Sequence, residues 1–148
     1  MYARILVPVD GSAPSTAGIG EAMKFARLSK GLIRLVHIVN EAQAIQGGYY
    51  SAELRDSLFV QAENLVQDAK AMVESQGLKA ETAVIDALGG PTGEVIAACA
   101  NQWPADLIVI GTHGRRGLAR LVLGSDAEYV VRTASVPVLL VHGARSRA

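Results

Sequence analysis

The stretch Asp106-Leu107-Ile108-Val109-Ile110-Gly111-Thr112-His113-Gly114, followed at Gly124-Ser125 by a helix start, decides the fold of this chain. Four consecutive aliphatic residues read as a buried strand, and glycines end it abruptly. A strand that breaks into glycines and resumes as a Gly-Ser helix start gathers backbone N–H groups in one place. Glycine lets the backbone approach closely, and the first turn of a helix offers unpaired donors with a positive dipole, so such a place suits phosphate oxygens. At average glycine usage of ~7%, the spacing G-x2-G-x9-G-[ST] arises by chance in roughly one chain of this length in a hundred or two. Its position directly behind a strand is what makes the signal strong.

The same reading extends outward. Ile5-Leu6-Val7-Pro8-Val9 is a short apolar run closing on Asp10-Gly11-Ser12, hence a first strand with Pro8 at its last rungs, where its missing N–H does least harm. Ser15 or Thr16 is positioned to cap a helix reaching about Ser29, with Ala17, Ala22, Phe25, Ala26 and Leu28 for its buried side and Gly31 as its stop. A second strand follows over 32–39, then a loop containing Gly47-Gly48-Tyr49-Tyr50 that reads equally as a lid or as a flexible connection. A long helix over 52–76 carries Leu54, Leu58, Val60, Ala62, Leu65, Ala69, Met72 and Val73 as apolar positions and ends at Gly77. Residues 81–87 form a third strand, and Pro91 or Thr92 opens a third helix reaching Ala100. The fourth strand is 106–110, the fourth helix runs from Leu123 or Gly124 to Ala134, and Val136-Pro137-Val138-Leu139-Leu140-Val141 is the last strand. Residues 143–148 read as a frayed tail.

Strands alternating with helices demand right-handed crossovers and a parallel sheet. The expectation is an α/β fold: one domain over 1–148 with a five-stranded, mostly parallel open sheet and four helices on both faces. Composition agrees, because 50% of the 148 residues are hydrophobic but only 5% aromatic, so the core must be aliphatic. Lys plus Arg and Asp plus Glu number 14 each, and a formal net charge of zero provides no global field for nucleic acid or an acidic membrane. One cysteine, Cys99, excludes an internal disulfide and suits a reducing compartment. A strand starting within five residues of Met1 leaves no room for a secretory signal, so a cytoplasmic location is expected.

Open parallel sheets hold ligands at the carboxyl ends of their strands, where strand order reverses. If the first and fourth strands are neighbours there, Asp10 faces the glycine segment and Ile38, ending the second strand, can flank a base. Each residue has a plainer role open to it. Asp10 and Ser125 can be helix caps, Gly11 and Gly114 ordinary turn glycines, and Arg115, Arg116 and Arg120 a solvated basic face as readily as an attractor of phosphates. His113 can donate to a phosphate or sit exposed in the turn, and His37 reads as a satisfied core histidine. Asp10 or Asp126 can hold a divalent ion that bridges phosphates. No Walker loop, G-x-G-x-x-G fingerprint or G-x-S-x-G elbow is present, and the metal ligands and positioned nucleophile of phosphoryl transfer are not evident.

Along nearly its whole length the chain resembles the universal stress protein family. The resemblance rests on Arg4-Ile5-Leu6-Val7-Pro8-Val9-Asp10-Gly11-Ser12, on Leu35-Val36-His37-Ile38-Val39, on the segment 106–114 and on Pro137-Val138-Leu139-Leu140-Val141. It implies a Rossmann-like fold, shared with the adenine nucleotide alpha hydrolase-like proteins. The family's ATP-binding branch carries G-x2-G-x9-G-[ST], here Gly111, Gly114, Gly124 and Ser125. The resemblance implies that these four hold phosphates, with His113, Arg115 and Asp126 nearby, that Pro8, Val9 and Asp10 meet the sugar or base, and that Ile38 meets the adenine. It also implies ATP as ligand, with Mg²⁺ or Mn²⁺ as a possible companion, and a homodimer through the last strand, a sensible fate for an exposed apolar edge. A regulatory ATP binder with slow or incidental hydrolysis, a nucleotide-acting enzyme, and an interaction protein independent of nucleotide are the functions to separate.

Overall fold

A computed structural model of the chain describes residues 1–41, 51–112 and 123–143. Five strands, β1 (Arg4–Pro8), β2 (Leu32–Val39), β3 (Lys79–Asp86), β4 (Leu107–Thr112) and β5 (Val138–His142), alternate with four helices among the described residues. These are α1 (Ala13–Ser29), α2 (Ala52–Ser75), α3 (Thr92–Gln102) and α4 (Ser125–Thr133). The sheet runs β3-β2-β1-β4-β5, and all its pairings are parallel.

Strand alternation sorts the aliphatic runs into two cores. Ile5, Val7, Ile33, Leu35, Leu107 and Val109 point to one face, where α1 brings Ile19, Ala22 and Ala26, and α2 brings Ala62, Val66, Ala69 and Val73. Leu6, Val36, Ile38, Ile108 and Ile110 point to the other, under Ile96, Cys99 and Trp103 of the α3 segment and Ala127 and Val130 of α4. Strands buried on both faces need no polar alternation, which is why they read as continuous apolar runs. Each fully buried Ile or Leu contributes about 1.5–3 kcal/mol relative to exposure. Burial raises the Cys99 thiol above its ordinary pKa, against a smaller downward pull from the Arg34 guanidinium.

Several local expectations are corrected. The α1 cap is Ser12, whose Oγ accepts from the Ser15 N–H at 3.2 Å, and not Ser15 or Thr16. Ser15 is buried instead, its Oγ accepting from the Asp10 N–H. Leu28, Val60 and Met72 are exposed, because the inward stripes of α1 and α2 do not pass through them. The end of α1 is made by Lys30 in a left-handed conformation (φ 56°), one residue before Gly31. The last strand starts at Val138, two residues later than its apolar run. The loop containing Gly47-Gly48-Tyr49-Tyr50 and residues 144–148 of the tail lie outside the described residues. No described helix is long and apolar enough to cross a membrane.

Candidate functional site

Strand order reverses between β1 and β4: from β1 the chain moves outward to β2, and it later returns to β1's other side as β4. Pairing between them is limited to Ile5↔Leu107 and Leu6↔Ile108, so their carboxyl ends diverge. A cleft opens there, lined by Pro8 at the end of β1 with Val9 and Asp10 after it, Ile38 on β2, Gly111 and Thr112 on β4, and Gly124 and Asp126 at α4. The conditional adjacency of Asp10 and the glycine segment is thus met.

Each wall follows from local chemistry. Gly11, at φ +81°, turns the chain from β1 into α1 in a conformation that side chains strain to adopt. Within that turn the Asp10 Oδ1 accepts from the Ser12 N–H at 2.9 Å, leaving Oδ2 for a ligand, and the residue is exposed. On β2, the Val36 carbonyl accepts from the Val9 N–H and the Val39 carbonyl from the Ala87 N–H. Alternation therefore turns the peptide groups of Ile38 toward the β1 side, beyond the last rung Pro8↔Val36, where β1 has already turned away. His37 donates from Nδ1 to the Val9 carbonyl at 2.7 Å, so the sequence reading of a satisfied histidine holds, although the residue also lines the cleft.

Helix starts at the cleft differ. α1 is capped by Ser12, whereas α4 has Gly124 as its N-cap, which offers no side-chain acceptor to its first N–H groups. Ser125 is therefore the first helical residue and not the cap, and it is exposed beside the cleft without lining it. The first N–H groups of α4 are thus able to meet an anion, beside the acidic side chains of Asp126 and Glu128 in the same turn. Gly111 has a different reason to be glycine. A Cβ built on it would lie 2.3 Å from the Pro14 carbonyl oxygen and 2.7 Å from the Ser15 nitrogen. This position allows the first turn of α1 to rest on β4. His113, Gly114, Arg115, Arg116 and Arg120 lie outside the described residues.

Sequence reasoning passed over Ser15, Thr92, Ile96, Ile110, Thr112 and Ala127 as cleft residues. Thr92 was legible only as a helix start, since what brings it to the cleft is the pairing of β3 beside β2. Thr112 Oγ1 shares a 2.8 Å hydrogen bond with His142 Nδ1, tying the end of β4 to the end of β5. No group of three or more potential metal-ligating side chains occurs among the described residues. Asp10 and Asp126 are the carboxylates at the cleft.

A Rossmann-like sheet with its cleft at the switch point defines a class of α/β proteins. Within that class, the chain belongs to the universal stress protein family, whose model matches residues 1–142. Universal stress protein MJ0531 of Methanocaldococcus jannaschii is 30% identical over 145 residues, covering 95% of this chain and 82% of that protein. The solved structure of MJ0577 superposes with a TM-score of 0.83 at 29% identity, covering 99% of both chains. A universal stress protein from Archaeoglobus fulgidus, solved in complex with dAMP, superposes with a TM-score of 0.69 at 24% identity, covering 95% of this chain and 98% of that one.

Proposed function

We propose that this protein binds ATP in the cleft between β1 and β4 and acts as a regulatory, stress-response nucleotide binder with at most slow hydrolysis. The observation that carries the proposal is the convergence of three chemistries on one cleft. These are the peptide groups of Ile38, beyond the last rung of β1 with β2, for a base, the Asp10 carboxylate for ribose hydroxyls, and the α4 terminus, whose N-cap Gly124 has no side chain, for phosphates. The dAMP complex of the Archaeoglobus relative supports an adenine nucleotide as the class of ligand. Pro8 and Val9 line the sugar side, and from the sequence pattern His113, Gly114, Arg115 and Ser125 complete the phosphate side. A Mg²⁺ or Mn²⁺ ion accompanying the nucleotide would draw most of its ligands from phosphate, with Asp10 or Asp126 as the protein's contribution. No residue is assigned a catalytic role. The protein would act in the cytoplasm as a single domain, and as a homodimer through the β5 edge, where Val138, Leu139, Leu140 and Val141 are only half-buried.

Calorimetric titration of nucleotide-stripped protein with ATP, ADP and AMP tests this reading, beside Asp10→Asn. Asparagine keeps an oxygen for the Ser12 N–H, removes the charge and turns the other acceptor oxygen into an amide donor. Hydrogen bonds to charged groups contribute about 1.5–3 kcal/mol, so the variant should bind ATP roughly ten- to a hundredfold more weakly with an unchanged melting temperature. Absence of ATP binding by the wild type would overturn the proposal.

A further inference from the structure

Asn40, just past β2, and Thr92, the first residue of α3, form a polar pair at the cleft wall. Asn40 Nδ2 donates to Thr92 Oγ1 at 3.2 Å and faces the Gly90 carbonyl at 3.5 Å. That carbonyl can only accept, so the amide nitrogen is the atom turned toward it, and Oδ1 lies on the far side. Oδ1 is buried and has no hydrogen-bond partner among the described residues. An unpaired buried acceptor costs the fold stability, so the amide needs a reason to be there.

Thr92 supplies that reason. It lines the cleft with Ile38 and Ile96. One lone pair of Oγ1 is occupied by Asn40, the hydroxyl plays no part in capping α3, and it donates to none of the described residues. A threonine held in this way cannot turn its proton back toward Asn40 and keeps it, beside one remaining lone pair, for whatever fills the cleft. Ile38, the residue before the last of β2, and Thr92 line the same cleft, and Asn40 just beyond β2 joins the two elements. We propose that Thr92 reads the base: its hydroxyl donates to a ring nitrogen of a bound purine, and Asn40 is the positioning residue that fixes the direction of that proton. The inference rests on the nucleotide-binding reading above and extends it to base recognition.

The test is a set of titrations of nucleotide-stripped wild type, Thr92→Val, Thr92→Ser and Asn40→Asp with ATP, 1-deaza-, 3-deaza- and 7-deaza-ATP and 2′-deoxy-ATP. Thermal melting of each variant separates lost binding from a folding lesion. Thr92→Val should weaken ATP roughly three- to tenfold, the worth of one neutral hydrogen bond, while Thr92→Ser should not. One deaza analogue should bind the wild type more weakly by a similar factor and bind Thr92→Val as well as ATP does, because both changes remove the same bond. Asn40→Asp offers Thr92 only acceptors, draws the hydroxyl proton inward, and should abolish the same discrimination with Thr92 still present. The proposal is overturned if Thr92→Val binds ATP like the wild type. It also fails if the variant's losses simply add to those of every deaza analogue, or if the non-additivity appears with 2′-deoxy-ATP instead. A wild type that does not bind ATP overturns the nucleotide reading along with it, whereas the other failures leave that reading standing.

Discussion

Gly111→Ala is expected to lower stability by roughly 3 kcal/mol or more, at the upper end of what overpacking costs. The added Cβ would lie 2.3 Å from the Pro14 oxygen, 2.4 Å from the Pro14 carbonyl carbon and 2.7 Å from the Ser15 nitrogen. All three are backbone atoms in the first turn of α1, so no side chain can rotate away to make room. Gly18, one turn further, would place a Cβ 3.5 Å from the Gly111 nitrogen, so the helix rests on β4 along two turns. Relief requires α1 to lift from β4, which loosens Ile19, Ala22 and Ala26 against Val109. At about 2–4 °C per kcal/mol for a chain of this size, the melting temperature should fall by roughly 6–12 °C, checked by thermal and denaturant unfolding. A variant melting within a degree or two of the wild type would show that α1 yields freely. The consequence for function is direct. Loss of ATP binding in Gly111→Ala would report a displaced helix as much as a lost phosphate contact, whereas Asp10→Asn disturbs the ligand alone.

This double meaning of Gly111 shows where sequence reading succeeds and where it stops. The β1 and β4 runs were legible because burial on both faces leaves mostly aliphatic residues there, and the cleft was legible because these two runs close on Asp10-Gly11-Ser12 and Gly111. The α1 cap was not, since Ser12, Ser15 and Thr16 all have the right side chain. Ser12 wins because the Asp10–Gly11 turn delivers the chain into helix at Ala13. The apolar positions Val60 and Met72 stay exposed because a long amphipathic helix tolerates apolar residues beside its buried stripe, and Ala62, Val66, Ala69 and Val73 define that stripe. The Asn40–Thr92 contact joins residues 52 apart through the pairing of β2 with β3, and no local pattern announces it.

Trp103→Ala should be a comparably large lesion, and one without a functional signature. Trp103 closes α3 and is 6% exposed, in the core beneath Leu6 and Ile108. The Arg4 guanidinium lies 4.4 Å from its ring centroid and that of Arg34 4.8 Å. Both arginines are held in place independently of the ring: Arg4 Nε donates to the Pro104 carbonyl at 3.1 Å, and Arg34 pairs with Glu81 at 2.6 Å. Removing the indole therefore leaves a cavity and takes the aromatic face from two cations that remain where they are. Truncating a buried tryptophan costs about 3–5 kcal/mol, and each cation–π contact adds about 0.5–2 kcal/mol depending on its exposure. From the truncation alone the melting temperature should fall by roughly 6–20 °C, with Trp103→Phe falling less because it keeps a ring beside both arginines. Arg4 opens β1 while Asp10 lies past its other end, so the lesion and the cleft sit at opposite ends of the same strand. ATP affinity measured well below the transition should then stay within about twofold of the wild type, because Trp103 itself does not line the cleft and lies toward the other end of β1 from Asp10. A variant that melts like the wild type would reduce the stacked arginines to surface decoration. One that stays folded but loses ATP would show instead that β1 transmits strain along its length, from the amino end of the sheet to the cleft.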